Sequence, residues 1–378
     1  MHNLPDDNAR TPCLLLDVER MTRNLGVIGK RLAALGVPLR PHVKTCKSVE
    51  IARRMLGPAS PGIAVSTLAE AEHFFEHGFA DLLYAVGIAP GKLPAAARLA
   101  ARGARLTIAL DRPETARIVA DESRRLGHRF DVVLEIDADG ARAGVAPDDD
   151  ALPRAADILA SSGCRVLGVM THMGGSYACR DRDCIVRAAE RERCAAVTAA
   201  ARLREAGFEA PMVGVGSTPT ARFAAGLDGV TEVRAGVHVF MDLVMAGLGV
   251  CRVDDIAISV LTEVIGYRAD PGEWLIDAGW MALSRDRGTA DQAVDQGYGL
   301  VCDADGRPLD DVVVRATSQE HGIVARRDGR PLPRDAFGIG QRLRILPNHA
   351  CATAAQFDGY LPVAGADADA WWPRMRGW

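Results

Sequence analysis

Eight short apolar runs, at 37–43, 62–66, 81–86, 105–110, 130–137, 166–172, 211–216 and 230–236, constrain this chain more than any other feature. Segments with helical periodicity lie between them, among them Leu68 to His77, Pro113 to Leu126 and Cys184 to Ala206. Each run is nearly continuous in apolar character. A strand made from it is therefore buried on both faces, and an intervening helix returns the chain for parallel pairing. Eight such units within about 215 residues fit a closed (β/α)8 TIM barrel better than an open doubly wound sheet.

The chain on either side of the barrel reads differently. Thr11 to Leu16 is a short apolar strand ending at Asp17, a plausible N-cap. Met21, Leu25, Ile28, Leu32 and Leu35 then recur at spacings of three and four, predicting a helix over 18–35 closed by Gly36. Past Cys251, β-branched runs at 256–267, 274–277, 299–302, 312–316, 322–325 and 342–346 are joined by turns such as Asp270-Pro271-Gly272, with little helix between them. The expected organisation is a barrel domain at 18–252 and a mainly-β domain at 253–378. Residues 1–17 are grouped with the second domain, although nothing in them shows that pairing.

Charge and composition exclude several classes. At 48% hydrophobic and 25% charged, the 378 residues describe a folded globular protein. A net charge of -4 offers no electrostatic footprint for nucleic acid or an anionic membrane. No apolar run reaches the roughly 18 residues of a membrane span, and the polar start, Met1 to Arg10, lacks a signal-peptide core, so the cytoplasm is expected. The nine cysteines are odd in number and form no CxxC framework. They read mostly as reduced, buried small side chains, with Cys351 set apart.

In a barrel of this type, chemistry gathers beyond the C-terminal ends of the strands. Lys44 lies there after the first run, in a stretch that Pro38 and Pro41 keep extended. Arg142 lies in the loop 138–144, and His172 and Tyr177 follow the sixth run. Gly216-Ser217-Thr218 closes the seventh, and Gly236-Val237 follows the eighth. Loops after strands seven and eight frequently hold phosphate in such barrels, although Ser217 or Thr218 would equally cap a plain strand-to-helix turn. A lysine at one side and a phosphate loop at the other suit pyridoxal 5'-phosphate. His349 and Cys351 are two apart at the end of an apolar run, where a continuing strand would put both on one face, and an imidazole with a thiolate suits zinc.

Pro41-His42-Val43-Lys44-Thr45-Lys47, Glu135-Ile136-Asp137 through Arg142-Gly144, Thr171-His172, Gly216-Ser217-Thr218, Arg234-Ala235-Gly236-Val237, Phe240-Met241-Asp242, Asp277-Ala278-Gly279, Gln319-Glu320-His321-Gly322 and Pro347-Asn348-His349-Ala350-Cys351 run nearly end to end. Together they resemble the fold-type III pyridoxal phosphate enzymes, the alanine racemase-like group, and within it the D-serine dehydratase and D-threonine aldolase family. The resemblance implies that Lys44 forms the Schiff base, Arg142 approaches the cofactor's phenolic oxygen and His172 packs near its ring, with Tyr177 a further pocket residue. It implies a divalent metal on His349 and Cys351 with open positions for substrate and water. It also implies a homodimer whose site combines one barrel with the partner's β domain.

His-x-Cys is the dehydratase form of the metal pair, whereas the aldolases resemble His-x-Asp with a harder metal such as manganese. The expected activity is therefore elimination of water from a D-3-hydroxy amino acid, giving a 2-oxo acid and ammonia. His321 is a candidate for binding substrate or passing a proton to the departing hydroxyl. Arg285 and Arg287 are candidates for reading a second substrate carboxylate. Retro-aldol cleavage, and a non-catalytic pyridoxal phosphate carrier, remain alternatives.

Overall fold

The computed structural model describes residues 9–364 and 370–378. It divides into two compact units: Val27–Gly236 with Gly377–Trp378, and the chain up to Gly26 with Val237–Arg376.

The chain opens with β1 (Cys13–Asp17) and α1 (Val18–Ala34). The Asp17 carboxylate accepts from Arg20 N at 2.8 Å, as an N-cap should, and Gly36 takes a positive φ of 71° just past the helix. Then strands and helices alternate: β2 (Leu39–Pro41), α2 (Val49–Met55), β3 (Ile63–Val65), α3 (Leu68–Glu76), β4 (Asp81–Gly87), α4 (Leu93–Ala101), β5 (Arg105–Leu110) and α5 (Pro113–Leu126). They continue through β6 (Asp131–Ile136), α6 (Ala151–Ser161), β7 (Arg165–Thr171), α7 (Arg182–Glu205), β8 (Met212–Val215), α8 (Thr218–Phe223) and β9 (Glu232–Ala235).

β2 to β9 form one parallel sheet in the order β2-β9-β8-β7-β6-β5-β4-β3. A parallel bridge between His42 and Ala64 brings its two edges together, so the sheet is a nearly closed eight-stranded barrel. All eight apolar runs are strands. Ala64, Leu83, Ala109, Val133 and Met170, from five successive strands, pack together inside it. No helix among the described residues is long and apolar enough to cross a membrane.

The second unit continues through α9 (Leu243–Gly247), β10 (Ile258–Arg268), β11 (Glu273–Ile276), α10 (Trp280–Leu283), β12 (Leu300–Cys302), β13 (Pro308–Thr317), β14 (Gly322–Arg326), β15 (Arg342–Leu346), α11 (Ala350–Ala354), β16 (Gly359–Val363) and β17 (Trp372–Pro373). Its sheet runs β11-β14-β13-β12-β15-β10-β1-β16-β17, and β10 also pairs with β11, so six strands close on themselves as an antiparallel barrel. β1 pairs antiparallel with β10 and parallel with β16, which ties the N-terminal strand into this unit.

Two local expectations change. Cys179 and Cys184 form a disulfide, while the other seven cysteines are not disulfide-bonded. Their five-residue spacing, across the entry to α7, is not a CxxC pattern and so gives no signal of that kind. The strand expected to run through His349 and Cys351 ends at Leu346. Pro347 has no N–H to continue the ladder, and His349 becomes the N-cap of α11.

Candidate active site

In the barrel unit, Lys44 follows β2 in the turn 42–47, exposed and directly after buried Val43. Its backbone N–H reaches His42 Nδ1 at 3.4 Å. Gly236 makes that turn's close approach to β9 possible: a Cβ there would press on the His42 carbonyl and the Thr45 hydroxyl.

Five charged or imidazole groups, His42, Lys44, Arg142, His172 and Arg234, converge here. Burial pushes the His42 imidazole well below its ordinary value, reinforced by the charges of Lys44 and Arg234 and by its neighbour His172. His172 is pushed down to about 4, chiefly by burial and then by Arg142, Lys44 and Arg234, against an opposing hydrogen bond to Gly216. His172 Nδ1 donates to the Gly216 carbonyl at 2.8 Å, which leaves Nε2 as the bare nitrogen of a neutral ring. Tyr177 is exposed, its ring 6.3 Å from that of His172.

Arg142 is held by its loop. The Asp137 carboxylate accepts from Asp139 N and Gly140 N, and Asp139 Oδ2 accepts from Gly175 N at 2.6 Å, joining the Arg142 loop to the one after His172. The turn at Gly216 is tighter still: Gly216 has φ 135° and its Cα lies against the Arg234 backbone, where a Cβ would overlap it. Ser217 caps α8 through a reciprocal capping box with Thr220, and its Oγ lies 3.2 Å from Ser176 Oγ. Thr218 is the first residue of α8 and is buried. The capped turn allowed for in the sequence is therefore present. Val237, also buried, opens a 3-10 turn at Val237–Val239.

Arg234, in the Arg234-Ala235-Gly236-Val237 stretch, lies among these groups. Its NH2 donates to the Thr171 carbonyl at 2.6 Å, while NH1 is buried with no partner. Glu232, Glu192 and Glu135 balance part of the Arg234 charge, and the guanidinium N–H left without a partner among the described residues, near Lys44 and two neutral imidazoles, fits an anionic group. A charged residue inside a buried four-residue strand was the signal for it.

In the second unit, His349 Nδ1 lies 2.9 Å from Asp286 Oδ2, and His349 is also hydrogen-bonded to the Cys351 side chain. Burial disfavours the imidazolium, yet the bonds to Asp286 and Cys351 outweigh it and raise His349 to about 11. The hydrogen bond from His349 draws the Asp286 carboxyl below its ordinary value. A nitrogen and a sulfur share a proton where a borderline-soft cation would replace it, and a carboxylate behind the imidazole fixes Nε2 as the outward ligand. Among the described residues no group of three or more His, Cys, Asp and Glu is placed to hold a metal ion.

The pair is braced from behind. The Asp242 carboxylate accepts from Ala350 N at 2.9 Å and caps α9 at Met245 N. Asn348 accepts from Thr289 Oγ1 and donates to the carbonyls of Asp286 and Gly297, holding the Asp286 segment beside His349. Ser284, at φ 69° and ψ 171°, occupies a backbone region that side chains rarely adopt. From that turn the Arg285 guanidinium lies 4.3 Å over the Trp280 ring with no carboxylate partner among the described residues, whereas Arg287 is bonded to Asp295 at 2.6 Å. His321 is exposed on the turn before β14, and that turn is stapled to α10 through Trp280 N to Ser318 O at 3.0 Å.

A barrel with this lysine turn, followed by this β unit, places the chain in the alanine racemase-like enzymes of the D-serine dehydratase family, to which it belongs. The alanine racemase N-terminal domain matches residues 16–244 and the serine dehydratase domain matches 257–363. The chain is 50% identical to the D-threo-3-hydroxyaspartate dehydratase of Delftia sp. (strain HT23), over 97% of this chain and 98% of that protein. It is 31% identical to the D-serine dehydratase of Dictyostelium discoideum, over 94% and 93% respectively. The solved Delftia structure superposes with a TM-score of 0.96 at 49% identity, covering 98% of this chain and 99% of that one. A cysteine-to-alanine variant of D-threo-3-hydroxyaspartate dehydratase, described as metal-free, superposes equally well.

Proposed function

We propose that this protein is a dehydratase that removes water from D-3-hydroxy amino acids, 3-hydroxyaspartate foremost, to give a 2-oxo acid and ammonia. It would use pyridoxal 5'-phosphate and a divalent metal, zinc by its donor set. The observation that carries the reading is the His349–Cys351 pair braced by Asp286, because breaking a carbon–oxygen bond needs help for the leaving hydroxyl that racemisation does not.

Lys44 would hold the cofactor's aldehyde carbon, with Arg142, His172, Arg234 and the Gly216–Thr218 turn around it, and His349 and Cys351 would hold the metal. When bound, the cofactor supplies an electron sink for a carbanion at Cα, and the metal polarises the β-hydroxyl. Lys44 Nζ, freed by substrate, takes the α proton. His172, pushed down to about 4, is too weak a base to compete with Lys44 for that proton and adds no second positive charge beside it. His321 would return a proton to the departing hydroxyl. Arg285, which has no carboxylate partner among the described residues, is the better candidate of the two arginines for a second substrate carboxylate. A cytoplasmic homodimer fits the composition and the family.

The test is an ammonia-release screen over D- and L-3-hydroxy amino acids, before and after chelation and zinc addition. Activity on D isomers, lost with chelator and restored by zinc, is expected. Lys44→Ala should abolish both ammonia release and the cofactor's visible absorbance. Acetaldehyde from D-threonine would instead assign retro-aldol cleavage, and chelator-insensitive elimination would remove the role given to His349 and Cys351.

A further inference from the structure

Glu192 is a carboxylate with no place in the chemistry above, and it is 1% exposed in the middle of α7. Its Oε1 accepts from two backbone donors at once, Met173 N at 2.8 Å and Gly216 N at 3.2 Å, and the carboxylate takes a further hydrogen bond from the Thr220 side chain. Burial pushes its carboxyl up, and those three donors pull against that. Arg234 supplies nearby positive charge.

Met173 follows His172 directly, and Gly216 opens the turn that carries Ser217 and Thr218. His172 Nδ1 donates to the carbonyl of that same Gly216. A closed circuit results: Glu192 to Met173, through His172 to the Gly216 carbonyl, and from the Gly216 N–H back to Glu192. Gly216 is thus fixed at its N–H and its C=O, in a conformation where no other residue has room.

We infer that Glu192 is a positioning residue that locks the loop after β7 to the turn after β8, and so sets how strongly this end of the barrel prefers a phosphorylated aldehyde to its unphosphorylated form. The inference rests on the cofactor assignment above. A buried acid beside an anion site is tolerable because its oxygens are spent on N–H and O–H donors, leaving the anion to Arg234 and the turn.

The test uses the full chain with Glu192→Asp and Glu192→Gln, titrated with pyridoxal 5'-phosphate and with pyridoxal by visible absorbance, with melting temperature recorded alongside. The aspartate is one methylene shorter and cannot reach both N–H groups, whereas the glutamine carbonyl can accept both. Glu192→Asp is expected to cut the preference for the phosphorylated form by about tenfold, with pyridoxal affinity nearly unchanged, and Glu192→Gln to keep it within about threefold. An aspartate variant with wild-type preference overturns the inference. So does one that weakens both aldehydes equally, since that is the mark of a purely structural residue. A wild-type chain that takes up neither aldehyde overturns the cofactor assignment itself and this inference with it, which separates the two failures.

Discussion

Removing the Asp286 carboxylate is the sharpest probe of the proposed metal role of His349 and Cys351, because its closest isostere is expected not to rescue it. Asp286 Oδ2 bonds His349 Nδ1 at 2.9 Å while Oδ1 accepts from Gly288 N at 2.8 Å. In Asp286→Asn, a carbonyl kept on Gly288 turns the NH2 toward Nδ1. The imidazole must then carry its proton on Nε2, the nitrogen a metal needs bare. Turning the amide over instead sets NH2 against the Gly288 N–H. Either way one bond is lost and the imidazole tautomer or orientation suffers. Outer-shell partners of ligating histidines are worth about 10–100-fold in metal affinity, or about 1.4–2.7 kcal/mol. Asp286→Asn and Asp286→Ala should both fall in that range, asparagine no milder than alanine. The assay is zinc competition against a chromophoric chelator, with ammonia release followed as zinc is raised; the rate should return at saturating metal. Wild-type zinc affinity in Asp286→Asn would refute the idea that this carboxylate sets the ligand.

Arg285→Ala should lower kcat/KM for 3-hydroxyaspartate by about tenfold or more, as expected for one charged hydrogen bond, and leave D-serine and D-threonine nearly unchanged. Arg287→Ala should affect all three alike by disturbing the Asp295 pair, and equal losses in both variants would remove the distinction. His238, fully buried, has its pKa lowered to about 4 by burial, against 6.5 when unfolded. The unfolded chain therefore binds a proton first as pH falls. The contribution of His238 is complete above pH 6.5 and is lost as pH drops toward 4, by at most about 3 kcal/mol. Urea titrations across that window should show a flatter acid limb for His238→Leu, and unchanged acid sensitivity would place the loss elsewhere.

The barrel was legible because burial on both faces makes each strand a continuous apolar run, and a run needs no partner to be seen. Lys44, His172 and Gly216 were legible for the same reason, since strand ends are where those runs stop. Residues whose role depends on a distant partner were not. Asp286 lies 63 positions from His349, and nothing in either segment announces the bond. Arg234 was quoted only within a motif, although a guanidinium in the middle of Glu232-Val233-Arg234-Ala235 cannot be buried without acceptors around it.

Glu192 left a readable trace of the same kind. The buried stripe of α7 runs Ile185, Ala188, Ala189, Glu192, Ala195, Ala196 and Ala199, so the acid occupies a position that helical spacing assigns to the core. A solvated face would explain Glu190 or Arg191; it cannot explain Glu192. A buried charge must find donors, and the only backbone N–H groups a mid-helix side chain can reach are those of loops outside regular pairing. In a barrel those are the loops that carry the chemistry. A charged residue on the apolar stripe of a barrel helix is therefore a sequence-level pointer to the loops it holds, and here it points to the two that flank the bare nitrogen of His172.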